Sequence, residues 1–248
     1  MEKRLIARGL LAGAVGAVVA FVFARLFAEP VIGRAIAFEE DRVEAAHAQG
    51  VHEHGAELFS RGVQGNAGLG FGVLVFGIAL GALFAVVFCV RYPRSEGVAP
   101  QSLSLRLAAG GFVAAYLVPF LKYPPNPPAV GQADTIGSRT LWYLAMVLAS
   151  VGLAIGALWL ARQLLARFDA LTARLLAAGA YVIAAVAVAL ALPNVAEVPP
   201  GFPAADLYEF RLVSLATQMV LWAGTGLVFA VLAGRLLAEG TPAQSVRA

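Results

Sequence analysis

The sequence predicts an all-α membrane protein, a polytopic helix bundle with six transmembrane spans. Of its 248 residues, 60% are hydrophobic and only 13% are charged, whereas about a quarter of a soluble globular chain is charged. The mean hydropathy is +0.80, and charge-free stretches alternate with short charged segments. A helix needs about 20 apolar residues to cross a hydrocarbon core. In lipid, a helix satisfies its backbone hydrogen bonds internally, so the stretches of this length are predicted to be helices.

Six charge-poor stretches define the spans in chain order. The third has only 15 residues without a charge, but the neighbouring Arg106 can reach the membrane interface and extend it. The first follows Lys3, Arg4 and Arg8, as a signal sequence would, yet its apolar stretch is too long for one, and we expect a retained span. All six belong to one integral membrane domain, residues 1–248, and they cover residues 9–27, 67–90, 107–121, 140–161, 175–192 and 212–234.

The lysines and arginines predict the orientation. With the N-terminus inside, eleven of the eighteen lie in inner segments, which predicts that both termini are cytoplasmic. We expect the membrane to be a bacterial inner membrane. Eleven of the fifteen acidic residues then lie in the outer loops, residues 28–66, 122–139 and 193–211. The basic residues occur in small clusters at the ends of apolar stretches, which is typical of membrane topology and not of nucleic-acid binding. The single cysteine, Cys89, excludes an internal disulfide framework.

Two patterns concern how the helices pack. Each outer loop ends in an arginine (Arg61, Arg139 and Arg211), which suggests three repeated two-helix hairpins. The alternative is that membrane loops commonly contain proline, acidic residues and one arginine. Glycines four residues apart also predict close approach between helices. These pairs are Gly9 with Gly13, Gly68 with Gly72, Gly77 with Gly81, and Gly152 with Gly156.

The first outer loop contains all three histidines. In a helix, Glu40, Glu44 and His47 would lie on one face, and His52 and His54 would point the same way from an extended backbone. Imidazole and carboxylate groups together bind first-row divalent metals. The predicted ligands are His47, His52, His54, Glu44, Glu53 and Glu57. The alternative is a solvated acidic loop in which histidines simply occur.

Known catalytic motifs do not occur in the sequence. It has no phosphate-binding loop, no Gly-x-Ser-x-Gly elbow and no His-Glu-x-x-His zinc motif. We therefore predict no catalytic residue and no tightly bound cofactor. Polar residues near the ends of spans, such as Gln64 and Asn194, are candidates for a transport path.

Several motifs resemble those of a known family. They are Glu29-Pro30, Phe38-Glu39-Glu40, His52-Glu53-His54, Ser60 to Gln64, Pro119 to Pro124 with Asn126-Pro127-Pro128, and Pro193-Asn194 with Glu197 and Pro199. From the first span to the sixth, the chain is similar to the CbtA-type family, the probable cobalt transporter subunits.

The resemblance implies uptake of Co(II) for cobalamin biosynthesis, beside a small single-span partner of the CbtB type. It points to His52, His54 and Arg61 in the first loop and to Lys122, Asn126 and Asp134 in the second. With the arginines and polar residues above, the predicted transport path or loop set is Arg61, Gln64, Lys122, Asn126, Asp134, Arg139, Asn194 and Arg211.

Two other functions stay open at this point. A metal-binding scaffold or sensor would bind the ion outside without transporting it. A membrane enzyme acting on lipid-type substrates would need a convergent acid/base set, for which the candidates are Lys122, Asp134, Arg139, Asp206, Glu209 and Arg211.

Overall fold

The computed structural model describes residues 1–48 and 68–239. Over these two ranges the regular structure is entirely helical, and six helical segments are long and apolar enough to cross a membrane. The prediction of an all-α, six-span protein is therefore confirmed. The helices are α1 (Glu2–Ala48), α2 (Leu69–Arg91), α3 (Pro100–Phe112), α4 (Val118–Lys122), α5 (Ile136–Leu164), α6 (Ala170–Ala191) and α7 (Ala204–Glu239). One π-helical turn, Val113–Leu117, joins α3 to α4, and these three elements form the third span.

Helices α1 and α7 are longer than a membrane requires. At 1.5 Å per residue, the 47 residues of α1 extend over about 70 Å, more than twice the roughly 30 Å of a hydrocarbon core. The helix continues past Pro30 into the region predicted as the first outer loop, where the sequence between residues 35 and 49 has good helix-forming residues. The outer part of α1 is therefore a helical extension as far as Ala48.

Helix α1 packs between α2 and α7 and is antiparallel to both. Against α2 the contact is made by glycines together with Ala17 and Ala85. A Cβ atom at Gly13 would lie 2.9 Å from the Cα atom of Gly81, and one at Gly77 would lie 2.8 Å from the carbonyl oxygen of Gly13. Gly9 also faces Gly81. We call Gly9, Gly13, Gly77 and Gly81 the glycine seam. The close approach predicted for the pairs Gly9 with Gly13 and Gly77 with Gly81 is confirmed. At Gly72, Gly152 and Gly156, in contrast, a Cβ would meet no atom within 4 Å.

The core lies where α1, α2, α3 and α7 meet. Phe229 of α7 makes edge-to-face contacts with Phe84 and Phe88 of α2, at centroid distances of 5.3 and 5.1 Å, a favoured aromatic geometry. The buried hydroxyl of Ser104 on α3 donates to the carbonyl oxygen of Gly226 on α7 over 2.9 Å. This bond satisfies the hydroxyl away from water.

Helices α5 and α6 form a pair at the side of this core. Their contact includes a 2.8 Å hydrogen bond between the hydroxyls of Ser150 and Tyr181, and α5 reaches the rest of the bundle through the π turn and α4. Asp169 caps α6 by accepting from the backbone N–H groups of Leu171 and Thr172. Because α7 packs on α1 and α3, packing does not follow three consecutive hairpins. The repeat in the sequence stays a prediction.

Candidate functional site

The second and third predicted outer loops contact each other directly. Lys122, at the end of α4, donates from Nζ to the side-chain oxygen of Asn194 over 2.6 Å. The hydroxyl of Tyr123 donates to the carbonyl oxygen of Pro193 over 2.7 Å, and burial raises the pKa of this phenol above its usual value. The phenol therefore stays a donor at neutral pH. These bonds connect the end of the third span to the end of the fifth, and we call this side of the bundle the loop end.

Glu197 forms a second connection between the same loops. One of its carboxylate oxygens accepts from the backbone N–H of Gln132 over 3.1 Å and lies 3.4 Å from Nε of Arg139. Arg139 also donates from Nη2 to the carbonyl oxygen of Gln132 over 3.2 Å. Gly131 packs against this guanidinium: it has φ +119°, and a Cβ there would lie 2.9 Å from Cζ of Arg139. The guanidinium is therefore held from three sides.

Arg211, in the first turns of α7, is the second arginine of the site. Its Nη2 donates to the side-chain oxygen of Asn126 over 3.1 Å, whereas its Nε is buried and has no hydrogen-bond partner among the residues that the structure describes. The neutral amide of Asn126 orients the guanidinium without balancing its charge.

The two arginines line a cavity of about 340 Å³ at the loop end, here called the arginine cavity. The third span contributes the rings of Tyr116 and Phe120, whose centroids are 5.7 Å apart, and α5 contributes Tyr143. The tyrosines make the wall both aromatic and hydrogen-bonding. No aspartate or glutamate of the described ranges lines the cavity.

A separate charged cluster connects the long helices on the same side. Arg34 of α1 donates from Nε to Asp206 over 2.7 Å and from Nη2 to Glu209 over 2.5 Å, and both acids belong to α7. Phe38 packs edge to face on Phe202, at a centroid distance of 5.1 Å. The extension of α1 is therefore fixed to the start of α7 by an ion-pair cluster and an aromatic contact.

Beyond this cluster, the end of α1 carries the first of the predicted metal ligands. Glu40, Glu44 and His47 lie in the helix and are exposed. The other predicted residues of the first loop, His52, Glu53, His54, Glu57, Arg61 and Gln64, lie outside the described residues. Within residues 1–48 and 68–239, no group of three or more His, Cys, Asp or Glu residues is close enough to hold a metal ion.

A comparison of the chain with known proteins identifies its family. A family model with the description "Probable cobalt transporter subunit (CbtA)" matches residues 2–234. The chain belongs to the CbtA family. The match includes all six spans and both loops of the arginine cavity, and it confirms the resemblance inferred from the motifs. Searches of curated proteins and of solved structures find no match.

Membership in the CbtA family favours transport over the enzymatic alternative, and the placement of the acid/base candidates agrees with that. Lys122 bonds to Asn194, Asp206 and Glu209 are paired with Arg34, and Asp134 is exposed in the 3-10 turn Ala133–Thr135. Arg139 and Arg211 line one cavity, and none of the four other candidates lines it with them.

The structure brings together four of the predicted loop residues in two pairs, Lys122 with Asn194 and Asn126 with Arg211. Sequence reasoning missed the contributions of Glu197 and of Tyr116 and Tyr143. Tyr143 lies one helical turn after Arg139, and this i, i+4 spacing was the available signal. For Glu197, only its position between prolines in the third loop marked it.

Proposed function

We propose that this CbtA-family chain is the multi-pass subunit of a cobalt uptake system that supplies cobalamin biosynthesis. The observation that carries the proposal is the family match over residues 2–234, together with six helices able to cross a membrane. The description of the family as a subunit fits a complex, and we propose a small single-span CbtB-type membrane protein as the partner. The distribution of lysine and arginine supports a bacterial cytoplasmic membrane with both termini inside.

We further propose that the first outer loop captures the divalent ion. Exposed Glu44 and His47 at the end of α1 would act with His52, Glu53, His54 and Glu57, which follow within ten residues. Neutral imidazole and carboxylate groups suit Co(II). Because protonated histidine cannot bind a metal, capture should weaken on acidification.

The residues of the second and third loops have another role in this proposal. Hydrogen bonds connect these loops to one another and to the helices, which supports a role in shaping the mouth of a transport path. The residues that make these bonds are Lys122, Asn126, Arg139, Asn194 and Arg211. Three of the five are cationic, so we do not assign them as ligands of a bare divalent cation. Asp134, Arg61 and Gln64 complete the proposed set.

The test is cobalt accumulation in a bacterium that lacks its own cobalt uptake. The chain would be expressed with and without its small partner, as the wild type and as the triple variant His47→Ala, His52→Ala, His54→Ala. We expect accumulation with the wild type, a clear loss in the triple variant at low external cobalt, and recovery at high cobalt, because capture then no longer limits uptake.

A matched pair of single variants tests the capture face by itself. Glu44→Ala removes a proposed ligand, and Glu96→Ala removes an exposed glutamate between α2 and α3 with the same change of charge. Only Glu44→Ala should lower uptake at low cobalt. If the triple variant takes up cobalt like the wild type, the capture role is wrong. If no combination accumulates cobalt although the chain inserts normally, the transport proposal itself is wrong.

A further inference from the structure

The arginine cavity has the wrong charge for a bare metal ion. Arg139 and Arg211 both line it, and the described part of the chain contributes no acidic side chain to its wall. Glu197 lies 3.4 Å from Nε of Arg139 and balances one of the two charges. The second positive charge, on Arg211, has no ion-pair partner within residues 1–48 and 68–239.

Arg211 is half-buried, and a charge taken out of water is costly unless an opposite charge or several hydrogen bonds compensate it. Its guanidinium donates to the amide oxygen of Asn126, and its buried Nε, like that of Arg139, makes no hydrogen bond to the described residues. The nearby acids of α7, Asp206 and Glu209, are both engaged by Arg34. An anion from outside the chain would supply the missing compensation.

The cavity is also organised before a ligand arrives. Gly131 and the carbonyl of Gln132 fix the guanidinium of Arg139, and Asn126 orients that of Arg211. A guanidinium presents parallel N–H donors that match the two oxygens of a carboxylate or phosphate group. The fixed positions of both arginines reduce the ordering cost of binding such a group.

The wall of the cavity suits a ligand with an apolar or uncharged remainder. Tyr116, Phe120 and Tyr143 line it beside the arginines, and the volume of about 340 Å³ lies in the range of small-molecule sites, about 300–1,000 Å³. Aromatic faces pack on carbon atoms. The hydroxyl of Tyr116 donates to the carbonyl oxygen of Ser214 over 3.4 Å, which leaves the hydroxyl of Tyr143 to donate to a ligand.

We propose that the arginine cavity binds an oxyanion, a carboxylate or phosphate group, with Arg211 as its principal counter-ion and Arg139 as the second donor. Two sources have this chemistry: a small soluble anion such as citrate or inorganic phosphate, and the headgroup of an anionic phospholipid. The site goes beyond the proposed function, because it concerns a ligand of opposite charge and none of the proposed metal ligands lines it among the residues that the structure describes. Anion binding is measured without cobalt, so its failure and that of transport are separate results.

The test uses the full-length chain, purified in an uncharged detergent without added metal. Citrate and inorganic phosphate are titrated by calorimetry, and melting temperatures are compared in nanodiscs of phosphatidylcholine alone and with phosphatidylglycerol. The test variant is Arg211→Gln. The control is Arg174→Gln, which makes the same change of charge at an exposed position of α6.

We expect saturable binding of a soluble anion, or specific stabilisation by phosphatidylglycerol, in the wild type and in Arg174→Gln. In Arg211→Gln the affinity for the soluble anion should fall by about 10- to 100-fold, as for the loss of a charge-assisted hydrogen bond, or the stabilisation by phosphatidylglycerol should be lost. The arm that responds identifies the source. If Arg211→Gln does not fold, Arg211→Lys keeps the charge without the planar donor pair and should bind more weakly than the wild type.

Two results would overturn the proposal. One is a wild-type protein that binds neither soluble anion and melts at the same temperature in both kinds of nanodisc. The other is binding that Arg211→Gln and Arg174→Gln change equally, because a general effect of surface charge would then explain it.

Discussion

Replacing Gly13 with alanine should separate α1 from α2 at the glycine seam. The added methyl carbon would overlap the carbonyl oxygen of Gly77 and would lie 2.9 Å from both the carbonyl carbon of Gly77 and the Cα atom of Gly81. Carbon atoms in favourable contact are about 3.5–4.0 Å apart, so the helices have to move apart by roughly 0.6–1.1 Å at this point. Overpacking of this kind costs about 1–3 kcal/mol.

The matched control for this variant is Gly152→Ala. Gly152 lies exposed on α5, where a Cβ meets no atom within 4 Å, so this change adds the same methyl group and the same gain in helix propensity, about 1 kcal/mol, without the clash. For a chain of this size 1 kcal/mol corresponds to roughly 2–4 °C in Tm. Because both variants share this gain in helix propensity, Gly13→Ala should melt roughly 2–12 °C below Gly152→Ala, and Gly152→Ala should melt at or above the wild type.

Both melting temperatures are measured by tryptophan fluorescence of the purified proteins in one uncharged detergent. If Gly13→Ala and Gly152→Ala melt at the same temperature, α1 and α2 do not approach as closely as the structure indicates. A large loss of Tm in both variants would contradict the explanation as well. It would show that a methyl group added at an open helix face is enough to destabilise the protein, without any clash between α1 and α2.

The remaining predictions concern the loop end and the cap of α6. Gly131→Ala should lower the Tm more than Gly137→Ala, because Gly131 has φ +119° and covers an arginine side chain, whereas Gly137 is open; equal melting would contradict the loop geometry. Asp169→Ala should destabilise the protein more than Asp169→Asn, since asparagine also caps helices. The hydrogen bond from the Thr172 hydroxyl, followed by those from backbone N–H groups, lowers the pKa of Asp169. The stability that the ionised carboxylate adds is therefore present above the usual pKa of aspartate and is lost as the pH falls through the lowered pKa of the folded state. If the wild type loses Tm no faster on acidification than Asp169→Asn, this explanation is refuted. Arg34→Gln should lower the Tm slightly, and the difference from the wild type should shrink in 1 M salt, because the ion pairs of Arg34 are partly exposed; a loss that does not depend on salt would exclude the ion pairs as its cause.

The six spans could be predicted from the sequence because the hydrocarbon core of a membrane imposes a simple pattern on it. A charge-free stretch of sufficient length has to be helical in lipid, and this holds even for the short third span, which the structure extends to Pro100–Lys122. The glycine spacing also predicted the seam. Spacing alone could not tell the packed pair at Gly9 and Gly13 from the open pair at Gly152 and Gly156, because that depends on which helix faces which.

The arginine cavity could be predicted only in part, for the same reason. Its wall combines residues from the third span, α5, α7 and both loops, and no local pattern relates these segments. The arginine at the end of each outer loop drew attention to Arg139 and Arg211. Nothing in the sequence showed that Glu197 balances the charge of the first, whereas the second has only an amide beside it.

Helix α1 connects the stable core of the molecule to the proposed capture face. From Gly13 in the seam to Arg34 the helix rises about 32 Å, and Glu44 lies about 15 Å farther along. In the seam the backbones of α1 and α2 are so close that an added Cβ would overlap the facing helix, whereas the contact at Arg34 is a partly exposed ion-pair cluster. The two attachments should therefore fail separately. A change in the seam affects the stability of the bundle, whereas a change at Arg34 loosens the outer part of α1, which the contact of Phe38 with Phe202 still holds, and leaves the core intact. An Arg34→Gln protein that melts nearly like the wild type but takes up less cobalt at low concentration would mean that capture needs the acidic end of α1 held beside α7.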